Sequence, residues 1–155
     1  MPHLHTEVTI NRPVDEVFAY ISNPRNESHW LSSVTQISNV SDGQAHVGTT
    51  FESLAHFLGR RMEFNVEVIE YEPPRQYGYR AIHGPLHIHR RLHLEPVDGG
   101  GTFLTMDLEA ENHHQVLRLA EDVMLRAGRR QGQHGLDNLK DILETHGPDH
   151  PRHDE

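Results

Sequence analysis

The residues best equipped for chemistry fall in one short stretch. His83, His87, His89 and His93 lie within eleven positions of one another, with Arg90 and Arg91 among them. Imidazole suits zinc, nickel or copper, and His87 and His89 are spaced to share one face of a strand. Alternation through the segment sets His87, His89, Arg91 and His93 against Leu86, Ile88, Arg90, Leu92 and Leu94. The leucines and isoleucine should point into a core, so the histidines are expected to face solvent or a second subunit. Whether they hold a metal stays open.

Arg90 is the exception in that pattern, a cation on the apolar side. A buried charge needs a partner, so Arg90 either pairs with an inward carboxylate or projects into a polar patch of a cavity. There its planar guanidinium could orient a carbonyl, phenolate or carboxylate of a ligand. The alternative is an arginine that reaches back to water, or a bulge that changes the register. Tyr77 and Tyr79 share a face on the preceding segment, and their hydroxyls could bond a polar ligand group. His29, beside Trp30, could serve as a base at a cavity mouth or simply sit on the surface.

Other chemistries find little support. Gly99-Gly100-Gly101 lacks the lysine and helix of a phosphate loop. Nothing resembles a nucleophile elbow. His113 and His114 are adjacent, and helical neighbours point apart, so they chelate poorly. No catalytic residue can be named, and no cofactor is expected.

These residues must be positioned by an antiparallel framework. Residues 6–10 alternate like a strand and lead into a helix, with Asn11 or Arg12 where a cap would sit and Pro13 at the first helical position. Asp15 and Glu16 favour the positive end of its dipole, and Val14, Val17, Phe18 and Ile21 make one apolar face. Residues 22–27 are turn chemistry and could cap a second short helix through Trp30 and Leu31. Strands are then expected over 34–40, 47–58, 61–71, 76–83, 86–95 and 102–111. The 61–71 segment has the clearest period of two, with Met62, Phe64, Val66 and Val68 against Arg61, Glu63, Asn65 and Glu67. Short connections suit an antiparallel meander.

From about 113 to 145 the pattern turns helical. One stripe is Val116, Ala120, Val123 and Ala127, and another is Leu136, Leu139, Ile142 and Leu143. Gly128, Gly132 and Gly135 lie between them. Each costs about 1 kcal/mol relative to alanine, which implies a kink, a hinge, a close backbone approach or a local break. Residues 1–146 read as one domain and 147–155 as a polar tail.

The 155 residues include 15 histidines and no cysteine, with a formal charge of −9. Disulfides, thiolate metal sites and a cysteine nucleophile are excluded. The acidic balance argues against nucleic acid as a partner, although protonating every histidine would reverse the sign of the net charge. No apolar run approaches the roughly 20 residues of a membrane span, and residues 1–7 do not read as a signal peptide. A cytoplasmic protein without stable membrane insertion, monomer or homodimer, is the expectation.

Several strings together resemble the START-related, polyketide-cyclase-like (SRPBCC) superfamily. They are Ile10-Asn11-Arg12-Pro13-Val14-Asp15-Glu16-Val17-Phe18, Trp30 after an Asn-Pro turn, and Val47-Gly48-Thr49-Thr50-Phe51. Glu70-Tyr71-Glu72-Pro73-Pro74-Arg75, Gly100-Gly101-Thr102 and Leu136-Asp137-Asn138-Leu139-Lys140 complete the set. The resemblance implies an α+β helix-grip fold. A seven-stranded antiparallel sheet would wrap around a long C-terminal helix, with two short helices after the first strand and an apolar cavity inside. It implies a binder or carrier of a small hydrophobic molecule, such as a lipid, isoprenoid, aromatic or polyketide. A cyclase or dehydratase using the same cavity is the alternative, so enzymatic activity stays open. The expected ligand-binding residues are Trp30, Phe51, Phe64, Tyr77, Tyr79, Arg90, Met106 and Met124.

Overall fold

A computed structural model describes residues 3–111 and 121–145. The expected leading part of the last helix, with Val116 and Ala120, the His113–His114 pair and the 147–155 tail lie outside the described residues. Strand β1 (His3–Ile10) is followed by α1 (Val14–Ile21), a 3-10 turn (Pro24–Asn26) and α2 (Glu27–Trp30). Six strands come next: β2 (Val34–Ser38), β3 (Thr50–Phe57), β4 (Arg60–Glu72), β5 (Gln76–His83), β6 (His87–Val97) and β7 (Gly101–Glu111). Helix α3 (Glu121–Thr145) closes the chain's described part.

The strands form one antiparallel sheet in the order β1-β7-β6-β5-β4-β3-β2. The first strand therefore pairs with the last, from His3 opposite Glu109 to Ile10 opposite Thr102. Alternation decides which face is inside. Met62, Phe64, Val66 and Val68 are buried on β4, and Leu92 and Leu94 on β6. Each such side chain contributes about 1.5–3 kcal/mol by leaving water. The β3–β4 hairpin turns on Leu58 and Gly59, both at positive φ (50° and 78°). A two-residue loop with that geometry matches the right-handed twist of its strands.

Three expectations shift. Pro13 is the residue before α1 rather than its first turn. Its ψ of 149° is extended, and Val14 begins the helix. Strand β3 begins at Thr50 because Gly48, at φ 99°, turns the chain just before it. On α3 the two expected stripes differ in burial. Val123 is exposed, while Leu136, Leu139 and Leu143 are fully buried.

The three glycines stand on α3's contact face, and the helix runs through them as one element. A Cβ at Gly128 would meet Leu4 Cδ1 at 2.6 Å, and one at Gly135 would meet Leu31 Cδ2 at 2.9 Å. They let the helix approach β1 and the α2 segment closely, and close approach is the reading that the geometry supports.

Candidate functional site

Between the sheet and α3 lies a cavity of about 180 Å³. Its wall is mostly apolar: Phe57, Phe64, Ile88 and Met106 from the strands, Leu86 from the turn before β6, and Met124 and Leu125 from α3. Three polar side chains come together on that wall, and each is placed by a different element.

Tyr79 and Arg90 are direct cross-strand partners on β5 and β6. Their strands alternate so that both point inward. Glu27 arrives from α2. The Asn23 side chain accepts from the Arg25 N–H at 3.1 Å, Pro24 fixes the turn, and Asn26 Nδ2 donates to the Tyr20 carbonyl at 3.0 Å. That turn delivers Glu27 into the interior, where its side chain is 8% exposed against 14% for Arg90.

Two hydrogen bonds join the three groups in a chain, and an ion pair spans its ends. The Tyr79 hydroxyl donates to Glu27 Oε2. Arg90 Nη1 donates to the Tyr79 oxygen at 2.8 Å and lies 3.8 Å from Glu27 Oε2. Burial pushes the Glu27 carboxyl above its ordinary range, against the pull of Arg90 and the Tyr79 bond. Burial holds the Tyr79 phenol well above its usual value, so Tyr79 keeps its proton and donates it. Arg90 stays cationic: burial opposes its charge, but Tyr79 and Glu27 outweigh it. Its Nε is buried and has no acceptor among the described residues.

Of the residues expected at the site, Phe64, Tyr79, Arg90, Met106 and Met124 line the cavity. Trp30, Phe51 and Tyr77 do not; they are core residues beside it. Tyr77 packs edge-on against Phe18 of α1, with ring centroids 6.5 Å apart. Phe51 packs edge-on against Tyr79 at 5.7 Å, and Trp30 sits beneath α3 near Gly135. Alternation gives the face of a strand but not the depth along it, and Phe51 and Tyr77 share the inward face without reaching the space, while Trp30 belongs to α2.

Glu27 is the residue that sequence reasoning passed over, because it ends the polar string Asn23-Pro24-Arg25-Asn26. A signal was present. Trp30 and Leu31 follow at i+3 and i+4, which places Glu27 on their side of any helical turn.

The histidines lie on the other face of the sheet. His83 and His87 are exposed, His89 Nδ1 stands 3.7 Å from Glu109, and His93 Nδ1 stands 3.0 Å from Gln76 Oε1. Among the described residues no three His, Asp or Glu side chains are grouped to hold a metal ion. No described helix is long and apolar enough to cross a membrane.

An antiparallel sheet gripping a long helix over an apolar cavity defines a helix-grip protein. The chain belongs to the polyketide cyclase / dehydrase and lipid transport family, whose model matches residues 1–144. Solved structures of the same fold include a Thermus thermophilus protein with a TM-score of 0.79 and 15% identity, covering 92% of this chain and 97% of that one. A START superfamily protein from Mycobacterium smegmatis superposes with a TM-score of 0.77 at 13% identity, again over 92% and 97%. The Zhui aromatase/cyclase from a Streptomyces species gives 0.72 at 15% identity, over 92% and 93%. At these identities the likeness is one of fold. No functionally curated protein matches the chain.

Proposed function

We propose that this protein binds a small hydrophobic molecule between the sheet and α3, with its polar end against Glu27, Tyr79 and Arg90. The observation that carries this reading is an apolar cavity whose wall holds one buried, charge-balanced polar cluster. Apolar burial supplies affinity, and a few placed polar groups set orientation. An apolar cavity of about 150 Å³ takes a benzene-sized molecule. At about 180 Å³ this one suits a single ring or a short chain as the buried part of its ligand.

Native mass spectrometry of the purified, untagged protein tests the reading, with Ala81→Phe as the comparison, since Ala81 lines the cavity. A retained organic mass in the wild type that is lost in Ala81→Phe is expected. An adduct indifferent to the substitution would place the ligand elsewhere.

A second reading, acid–base catalysis in the same cavity, is favoured by Glu27. A carboxyl held above its ordinary range beside two donors is suited to moving a proton next to a carbonyl. Exchange of α-hydrogens of a ketone in deuterated water, abolished by Glu27→Gln, is the outcome that supports it.

A further inference from the structure

The polar cluster carries its own counter-ion. Arg90 is a single cation, and Glu27 already lies 3.8 Å from it and is bridged to it by Tyr79. Donors remain in surplus: a guanidinium has five N–H groups, and among the described residues Tyr79 accepts from Nη1 while the side chain keeps some exposure on the cavity wall. A ligand oxygen that can accept is therefore matched, whereas a second negative charge is not. Against an apolar wall, two carboxylates and one guanidinium leave one carboxylate uncompensated.

We propose that the cavity selects molecules ending in an uncharged oxygen acceptor, such as a ketone, aldehyde, ester or alcohol, over the carboxylate of the same skeleton. The inference rests on the binding reading above and narrows it to a ligand chemistry. Glu27 acts here as a specificity residue. It occupies the guanidinium that would otherwise attract an anion, and so excludes fatty and aromatic acids of the right shape. A carboxylate enters only if Glu27 takes up a proton.

Among the described residues, the charged or titratable side chains sharing the cavity with Glu27 are Tyr79 from β5, Arg90 from β6 and Glu111 from β7, with Tyr77 next along β5, and the rest of the described lining from β1 to β4 and α3 is uncharged.

The test uses the full-length protein with a matched pair of probes, acetophenone and benzoate, titrated calorimetrically at pH 8 and pH 5.5. A wild type that binds the ketone at least tenfold more tightly at pH 8, with benzoate gaining affinity at pH 5.5 and the ketone unchanged, is expected. Glu27→Gln should shrink the ketone-to-benzoate ratio at pH 8 by at least tenfold, because Arg90 is then free to pair. A ratio unchanged in Glu27→Gln, or benzoate binding equally at both pH values, overturns the selectivity. Should Glu27→Gln fail to fold, the wild-type pH comparison decides alone. If neither probe binds the wild type, the cavity reading itself falls, and the selectivity with it.

Discussion

Glu27 Oε2 and Arg90 Nη1 stand 3.8 Å apart, joined through the Tyr79 hydroxyl that bonds both. The pair links a four-residue helix to the middle of the sheet. Neither charge has an obvious substitute partner, so the two must be considered together.

Removing one partner strands the other. Arg90→Met should cost about 3–5 kcal/mol at pH 8, the usual consequence of an uncompensated buried charge. The folded Glu27 pKa already lies above its unfolded value, so stability falls as pH rises between the two. Losing Arg90 raises the folded value further and widens that window upward, so the penalty should be smaller at pH 5.5. Urea denaturation at both pH values measures it. The Glu27→Gln/Arg90→Met double variant should lose less than the sum of the singles. Strict additivity would mean the pair is not coupled.

The glycines of α3 should separate. A Cβ at Gly132 meets Met106 Cε and Thr6 Cγ2 at 3.5 Å, ordinary contact distance. Gly132→Ala should therefore stabilise by about 0.5–1 kcal/mol through helix propensity. At Gly135 the same atom meets Leu31 Cδ2 at 2.9 Å, with Trp30 close behind. Gly135→Ala should be neutral to destabilising, and thermal melts of the two variants should move in different directions or by clearly different amounts.

On the outer face, His5 Nδ1 lies 2.7 Å from Asp107 and its Nε2 lies 3.0 Å from Glu7. These carboxylates, Asp107 first, raise the His5 pKa above 6.5. The stability this pair contributes is complete below the unfolded histidine value and is lost as pH rises through the folded one. An NMR titration should place His5 above an ordinary histidine, and Asp107→Asn should bring it down. No change in that variant would assign the shift elsewhere.

Gly78 has no side chain where Glu70 crosses the strand. A Cβ there would sit 2.7 Å from Glu70 Oε1. Arg91 holds Glu70 through Nε at 3.0 Å and Nη2 at 3.0 Å, which lowers the Glu70 pKa with help from Gln76. That contribution is present above the unfolded carboxylate value and lost as pH falls through the folded one. Because Arg91 is half exposed it amounts to about 1 kcal/mol or less. Gly78→Ala should displace Glu70 and flatten the acid limb of the stability profile, as Glu70→Gln does. The two effects should not add.

The framework was legible where period two runs unbroken. Strand β5 falls at Gln76–His83 as the pattern implies, and β4 differs by one residue at each end. Arg90 stood out because alternation made it an inward cation. The inward side of α3 was legible in Leu136, Leu139 and Leu143 but not in the preceding turns, where Gly128 and Gly132 occupy it and a glycine contributes nothing to an apolar stripe. Glu27 carried a fainter signal: in a helix of four residues only Trp30 and Leu31, at i+3 and i+4, mark its inward side. The site thus joins a residue that announces itself to one marked by a single pair of neighbours.

Because β1 pairs with β7, the strand made first has no partner until about a hundred residues later have been synthesised. Helix α3 then packs against β1 as well as the α2 segment that carries Glu27. During synthesis, the growing chain is an incomplete sheet with one edge waiting and an apolar face uncovered, the condition in which chaperones find their clients. The cavity has no existence in that interval. It is enclosed only when α3 docks, so the cavity and the contact of α3 with β1 arise in the same step.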